Sequence, residues 1–253
     1  MFITDPESGL LRDEADKCDI RTLAVPQNVG GRFSVLSTVG ILPAVAMGLD
    51  TEKLLDGAAE FVADENMVKI SREIAAAQHA SLRAGYDRVV MMPYALQLEE
   101  FTRWFRQLWA ESLGKEGTGI LPIQARGPAD QHSQLQFYME GAAKQVIFFL
   151  SILERAEDTR FGNVSLEEFS YLSGKSFLEV LHAETDATEQ ALIQAGKPVM
   201  RLDIDHLDEY TLGQLFMCFE LAVVYLAELL EVNAFDQPGV ELSKKLSKKM
   251  LTV

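Results

Sequence analysis

"DRVVMMPYALQLEEFTRWFRQLWAESLGK", residues 87 to 115, decides the fold class. Its first nine residues hold a short apolar run between Arg88 and Pro93, which reads as a buried strand. From residue 96 the period changes. Phe101, Trp104, Phe105 and Trp109 recur at three- and four-residue steps and load one face of a helix. A strand that feeds an amphipathic helix is the repeating element of α/β folds.

The same alternation continues outward. "KQVIFFLSIL" (144 to 153) and "PVMRLDI" (198 to 204) read as further strands, and residues 51 to 85 read as helices with Gly85 as a stop. "TGILPIQARGPADQHSQLQFYMEG" (118 to 141) reads as a Gly/Pro-punctuated loop that leads into a helix. At the start, "MFITD" and "RTLAVP" (21 to 26) flank a turn and a short polar helix, which makes a βαβ unit. Two strands cannot bury both faces alone, so either they pair with later strands or the rest of their sheet is missing. Their exposed edges are also a hazard for association. The expected class is α/β with a mostly parallel sheet.

A formal charge of −15 disfavours a nucleic-acid or anionic-membrane partner. It leaves room for a small anionic substrate, because salt screens exposed charges beyond roughly 8–10 Å and a local cationic pocket can act at short range. Cys18 and Cys218 stand alone, without metal-type spacing, which fits a reducing compartment. With no basic region and apolar run at the N-terminus, the expected location is the cytoplasm. "LGQLFMCFELAVVYLAELLE" (212 to 231) is long enough to span a membrane, but Gln214, Glu220 and Glu228 interrupt it and favour a core helix. His79, His132, His182 and His206 are scattered, so no metal site is expected.

Four stretches could carry chemistry. "NVGGRFS" (28 to 34) puts Gly30 and Gly31 before Arg32, where backbone can approach a ligand and a guanidinium can meet an anion, although a plain turn with a solvated arginine has the same composition. In "RQLWAES", Gln107 and Glu111 stack one helical turn apart, and Glu111 beside Trp109 is a candidate general base or an ordinary surface glutamate. His132 in "PADQHSQLQ" is a candidate proton shuttle or a helix-cap neighbour. "AFDQPGVELSKK" (234 to 245) is by itself a turn that starts a lysine-rich helix. "SGKS" (173 to 176) ends like a phosphate-binding loop, but Phe169 stands where that loop needs glycine.

Taken together, these stretches resemble the phosphoglucose isomerase family, in its shorter bacterial form. "NVGGRFSVLSTVG" is similar to one family hallmark and "ELLEVNAFDQPGVELSK" to the other, with "RQLWAES", "GILP" and "ADQHSQLQFYMEG" between them. The resemblance implies two Rossmann-like sugar-isomerase subdomains and interconversion of glucose 6-phosphate and fructose 6-phosphate. Residues 1 to 26 would be remnant strands of the first subdomain, and 27 to 253 the second, catalytic one.

By resemblance, Glu111 moves a proton between C1 and C2, with His132 and Lys244 serving ring opening. Gly31, Arg32, Gln107 and Gln237 contact substrate, and Arg32 offsets the charge of the enediolate intermediate. Neither a cofactor nor a metal is implied. The resemblance implies a homodimer; it also implies a missing N-terminal half, because the family's Ser/Thr-rich phosphate loop of the "SKSGTT" type does not occur here. The chain alone is therefore expected to be a weak or inactive isomerase. The alternatives are a non-catalytic sugar-phosphate-binding module and a structural half that works only when assembled.

Overall fold

The computed structural model describes residues 1–252. The chain divides into two compact units, Met1–Ala75 together with Asp208–Val253, and Ala76–Leu207.

The first unit opens with β1 (Phe2–Thr4), α1 (Leu10–Cys18) and β2 (Thr22–Ala24). The two strands pair in parallel, Phe2 opposite Thr22, and form a sheet of their own. The βαβ unit read from the sequence is present, and its strands do not join the later sheet. Three helices follow, α2 (Thr38–Ala46), α3 (Thr51–Ala63) and α4 (Glu65–Arg83). Side chains that accept first-turn N–H groups start two of them: Ser37 caps α2 through Val39 N, and Asp50 caps α3 through Lys53 N. The division between units falls within α4.

The second unit holds β3 (Arg88–Pro93), α5 (Glu99–Leu113), β4 (Leu121–Gln124), α6 (Gly127–Ser133), α7 (Leu135–Glu140), β5 (Gln145–Ile152), α8 (Phe177–Gln194) and β6 (Val199–Ile204). The four strands are parallel in the order β4-β3-β5-β6. Every residue of β5 is buried, as a strand covered on both faces requires. Val90, Met92, Ile147 and Phe149 form the core with Tyr94, Tyr138 and Leu192.

β4 is the element that the sequence reading places in a loop. Pro122 conceals it, since proline removes a ladder donor. It is tolerated because β4 is an edge strand, paired among the described residues with β3 alone, and Pro122 lies opposite Val89. Ser176 of "SGKS" caps α8: its Oγ accepts from Glu179 N while Glu179 accepts from Ser176 N, a reciprocal capping box.

The chain returns to the first unit with α9 (Glu209–Leu229) and α10 (Glu241–Leu251). Among the described residues α9 is the one helix long and apolar enough to cross a membrane by length and composition, and half of that stretch is buried within the protein. It packs on α3 at two glycines. A Cβ on Gly57 would lie 2.0 Å from Tyr210 O, and one on Gly213 would lie 1.9 Å from Leu54 O. The two backbones therefore touch directly. Ser71 Oγ on α4 donates to Cys218 O on α9 at 2.8 Å, and burial pushes the Cys218 thiol up to about 12. α10 buries no residue; Leu242, Leu246 and Met250, at four-residue steps, form an exposed apolar stripe.

Candidate functional site

In the first unit the two hallmark stretches meet at one side chain. Arg32 sits in a single 3-10 turn, Gly31–Phe33, and is 5% exposed. Its Nη1 donates to Gln237 Oε1 at 2.7 Å, and its Nη2 donates to the carbonyls of Asp236 (2.9 Å) and Ala234. Arg32 and Gln237 are 205 residues apart in the chain. Phe33 and Phe235 pack ring against ring at 5.3 Å and close the same junction. A buried guanidinium needs acceptors, and the turn at 234 to 237 supplies them.

Gly31 has no left-handed φ, and the space where its Cβ would stand is open, so the packing of the chain itself does not demand glycine there. Lys244 lies on α10 facing solvent, with Nζ paired to Glu241 Oε1 at 2.8 Å, which lowers the Glu241 carboxyl below its ordinary value. Arg32 and Gln237 are thus brought together, while Lys244 is engaged elsewhere.

In the second unit Gln107 and Glu111 occupy the last turns of α5, and Gln107 Nε2 donates to Glu111 Oε1 at 3.3 Å. Glu111 is half-buried and Gln107 is exposed. Behind them the indole of Trp109, fully buried, donates to Gln78 Oε1 on α4 at 2.8 Å and packs at a tilt on Phe105, ring centres 4.4 Å apart. That anchor fixes the helix end and with it the carboxylate.

His132 is exposed on α6. Its neighbour Gln131 accepts from Tyr94 OH at 2.8 Å and from Thr188 Oγ1 at 3.1 Å. Tyr94, Gln131, Thr188 and Gln78 are not among the residues that the sequence singles out. Only Tyr94, a polar-tipped aromatic ending an apolar strand, carries a local signal.

α5 starts beside the end of β4: Glu99 O accepts from Gln124 Nε2 at 3.4 Å, and Glu99 pairs with Arg126 at 2.6 Å. α6 begins one residue later, so His132 belongs to the edge of the sheet where β3 and β4 end. Glu111 lies twelve residues along α5 from Glu99, about 18 Å at 1.5 Å per residue, near where β4 begins. Within this unit, Glu111 therefore stands at the end of the sheet where β4 begins, and His132 at the end where β3 and β4 finish. A cavity of about 220 Å³ at the His132 edge is lined by Pro93, Leu96, Glu99, Arg126 and Pro128. Among the described residues no group of three or more His, Cys, Asp or Glu gathers with metal-binding geometry.

Residues 15–253 match the family model for phosphoglucose isomerase. The chain belongs to the phosphoglucose isomerase family. It is similar to the glucose-6-phosphate isomerase of Rubrobacter xylanophilus, 45% identical over 250 residues that cover 96% of this chain and 58% of that protein. A probable glucose-6-phosphate isomerase of Haloarcula marismortui is 41% identical, covering 99% and 58%.

Among solved structures, a hypothetical protein of Thermus thermophilus superposes with a TM-score of 0.91 at 38% identity, over 100% of this chain and 63% of that one. The glucose-6-phosphate isomerase of Chlamydia trachomatis superposes at 0.82 with 25% identity, over 99% and 52%. The chain thus spans a little over half the length of the curated relatives it matches. The matched region, residues 15–253, includes both stretches that converge on Arg32. The family's fold class, α/β with a parallel sheet flanked by helices, is also the one observed.

Proposed function

We propose that this chain carries the reacting side chains of an aldose–ketose isomerase that interconverts glucose 6-phosphate and fructose 6-phosphate. The convergence of both hallmark stretches on Arg32 carries this reading. In the proposed reaction Lys244 and His132 exchange protons with the ring oxygen and O1 while the hemiacetal opens. Glu111 then removes a proton from C2 of the aldose and returns it at C1, with Gln107 holding the carboxylate. The negative charge of the enediolate meets the fixed cation of Arg32, whose orientation is set by the 234 to 237 turn. Gly31 and Gln237 contact the substrate. The proposed setting is the cytoplasm, in glycolysis and gluconeogenesis.

The distance between Glu111 and His132 within one unit supports a homodimer, in which one copy supplies the base and the other the histidine. A second reading is a structural half that works only with a separate chain bearing the first subdomain. It is favoured by the two-stranded β1-β2 sheet and the uncovered stripe of α10. Binding energy from the non-reacting phosphate serves to position the reacting end, so a chain without the phosphate loop is expected to turn over poorly alone.

The test is conversion of fructose 6-phosphate, followed through an NADP-linked dehydrogenase, by the chain alone and mixed with a first subdomain from a relative. Turnover that falls about 10²–10⁴-fold in Glu111→Gln supports the base. Turnover that survives the substitution refutes it. Activity that appears only in the mixture selects the second reading.

A further inference from the structure

We infer that Gln131 is a positioning residue that sets which ring nitrogen of His132 carries the proton. The inference rests on the reading above only for its consequence in catalysis; the geometry stands by itself. Two hydroxyls converge on Gln131 Oε1, Tyr94 OH at 2.8 Å and Thr188 Oγ1 at 3.1 Å, and they lie 3.3 Å from each other. Oxygen can accept both and an amide nitrogen cannot, so this end of the side chain is the carbonyl. Both hydroxyls are held inside the protein, with Tyr94 3% and Thr188 7% exposed. Burial pushes the Tyr94 phenol up to about 12, so it remains a donor across the physiological range.

The other end of the Gln131 amide is then a donor only, and it faces His132 Nε2 at 3.4 Å. A donor at that position requires a lone pair on Nε2, which leaves the proton of the neutral ring on Nδ1. The support of α6 points to the same ring: a Cβ on Gly127 would lie 2.3 Å from the Tyr94 ring, so the start of α6 rests against it. Tyr94 thus fixes both the helix that carries His132 and the amide that orients it. Nδ1 is the nitrogen left to exchange a proton with a sugar oxygen.

The ¹⁵N resonances of the histidine ring report the tautomer directly. The full chain would be labelled at histidine and measured at alkaline pH, where imidazole is neutral, with His132→Gln used to assign the signals. The expected result is Nδ1–H for the native chain. In Gln131→Glu one carboxylate oxygen still accepts from Tyr94 and Thr188, and the other turns an acceptor toward the ring. The major form should then switch to Nε2–H. Gln131→Leu should give the mixed population of a solvated ring.

A merely structural role for Gln131 would move neither population in chains whose circular dichroism is native. An unchanged tautomer in a folded Gln131→Glu chain overturns the inference. Turnover that is intact in His132→Gln would remove the proposed catalytic role of the histidine and leave the tautomer result untouched, so the two failures are distinguishable.

Discussion

Glu220 ought to make this protein less stable as pH rises through neutrality. It sits in α9 among Phe219, Ala222 and Val223, which are fully buried, and its Oε1 is shut off from solvent with no hydrogen-bond partner among the described residues. Burial pushes its carboxyl from 4.5 up to about 8. The folded chain therefore holds the proton across a range in which the unfolded chain has released it. Below the ordinary glutamate value both states are protonated and the group contributes nothing to pH dependence. Between 4.5 and about 8 the folded state binds more protons, so stability falls as pH rises, by about 1.4 kcal/mol per pH unit at most.

From pH 5 to pH 8 the loss integrates to roughly 3–4 kcal/mol, a large share of the 5–15 kcal/mol that is usual for a domain. Glu220→Gln keeps the shape and cannot ionise. Urea unfolding of both chains at pH 5, 6, 7 and 8 should show a variant that gains on the native chain at each step, by about 3 kcal/mol in total. A constant difference between the two chains over that range would show that Glu220 is charged in the folded state and would refute the reasoning.

Two further outcomes follow from contacts in the first unit. Gly213→Ala sets a methyl group 1.9 Å from Leu54 O, a backbone atom that cannot move without shifting α3, and should destabilise the chain by about 2–3 kcal/mol. A drop below about 0.5 kcal/mol in thermal or urea unfolding would show that the helices separate freely. Arg32→Ala strips three acceptors at 234, 236 and 237 of their donor and should cost about 3 kcal/mol or more. Proteolysis within 234 to 240 should accelerate by at least tenfold, whereas an unchanged cleavage rate would mean that the turn holds itself.

The strands that were legible are those whose burial is nearly continuous. Val89 to Met92 and Val146 to Leu150 are apolar without interruption because both faces of a central parallel strand are covered. β4 was hidden because an edge strand can carry Pro122 and needs only one partner. The crossing of α3 and α9 was equally silent. Gly57 and Gly213 read as weak points in two helices, and their purpose appears only when the opposite backbone is seen at contact. For the candidate residues, local spacing placed Gln107 beside Glu111, since one helical turn is a short-range fact. The acceptors of Arg32 lie some two hundred residues away, and no spacing rule reaches that far. The amide of Gln131 carries no local signal, because its importance comes from hydroxyls on two other elements.

The strand order also bears on how the proposed site is assembled. In a parallel sheet whose chain moves from β3 to β4 on one side and then to β5 on the other, the crevice opens at the carboxyl ends of β3 and β5. The His132 edge is that edge. The proposed base, Glu111, lies about 18 Å by helical rise from Glu99, in the last turn of a helix that runs back toward the start of β4. A hexose phosphate is too short to touch both. If both act in one turnover, the two residues must come from different copies, and each copy then offers one base and one histidine to two separate sites. Such an arrangement makes a specific demand: mixing inactive Glu111→Gln chains with inactive His132→Gln chains should restore one site in each heterodimer. With random exchange of subunits, about half the dimers are mixed and each has one intact site, so activity should recover to about a quarter of the native level. Recovery of nothing, under conditions in which subunits exchange, would place both residues in the same copy's site or remove one of them from the chemistry.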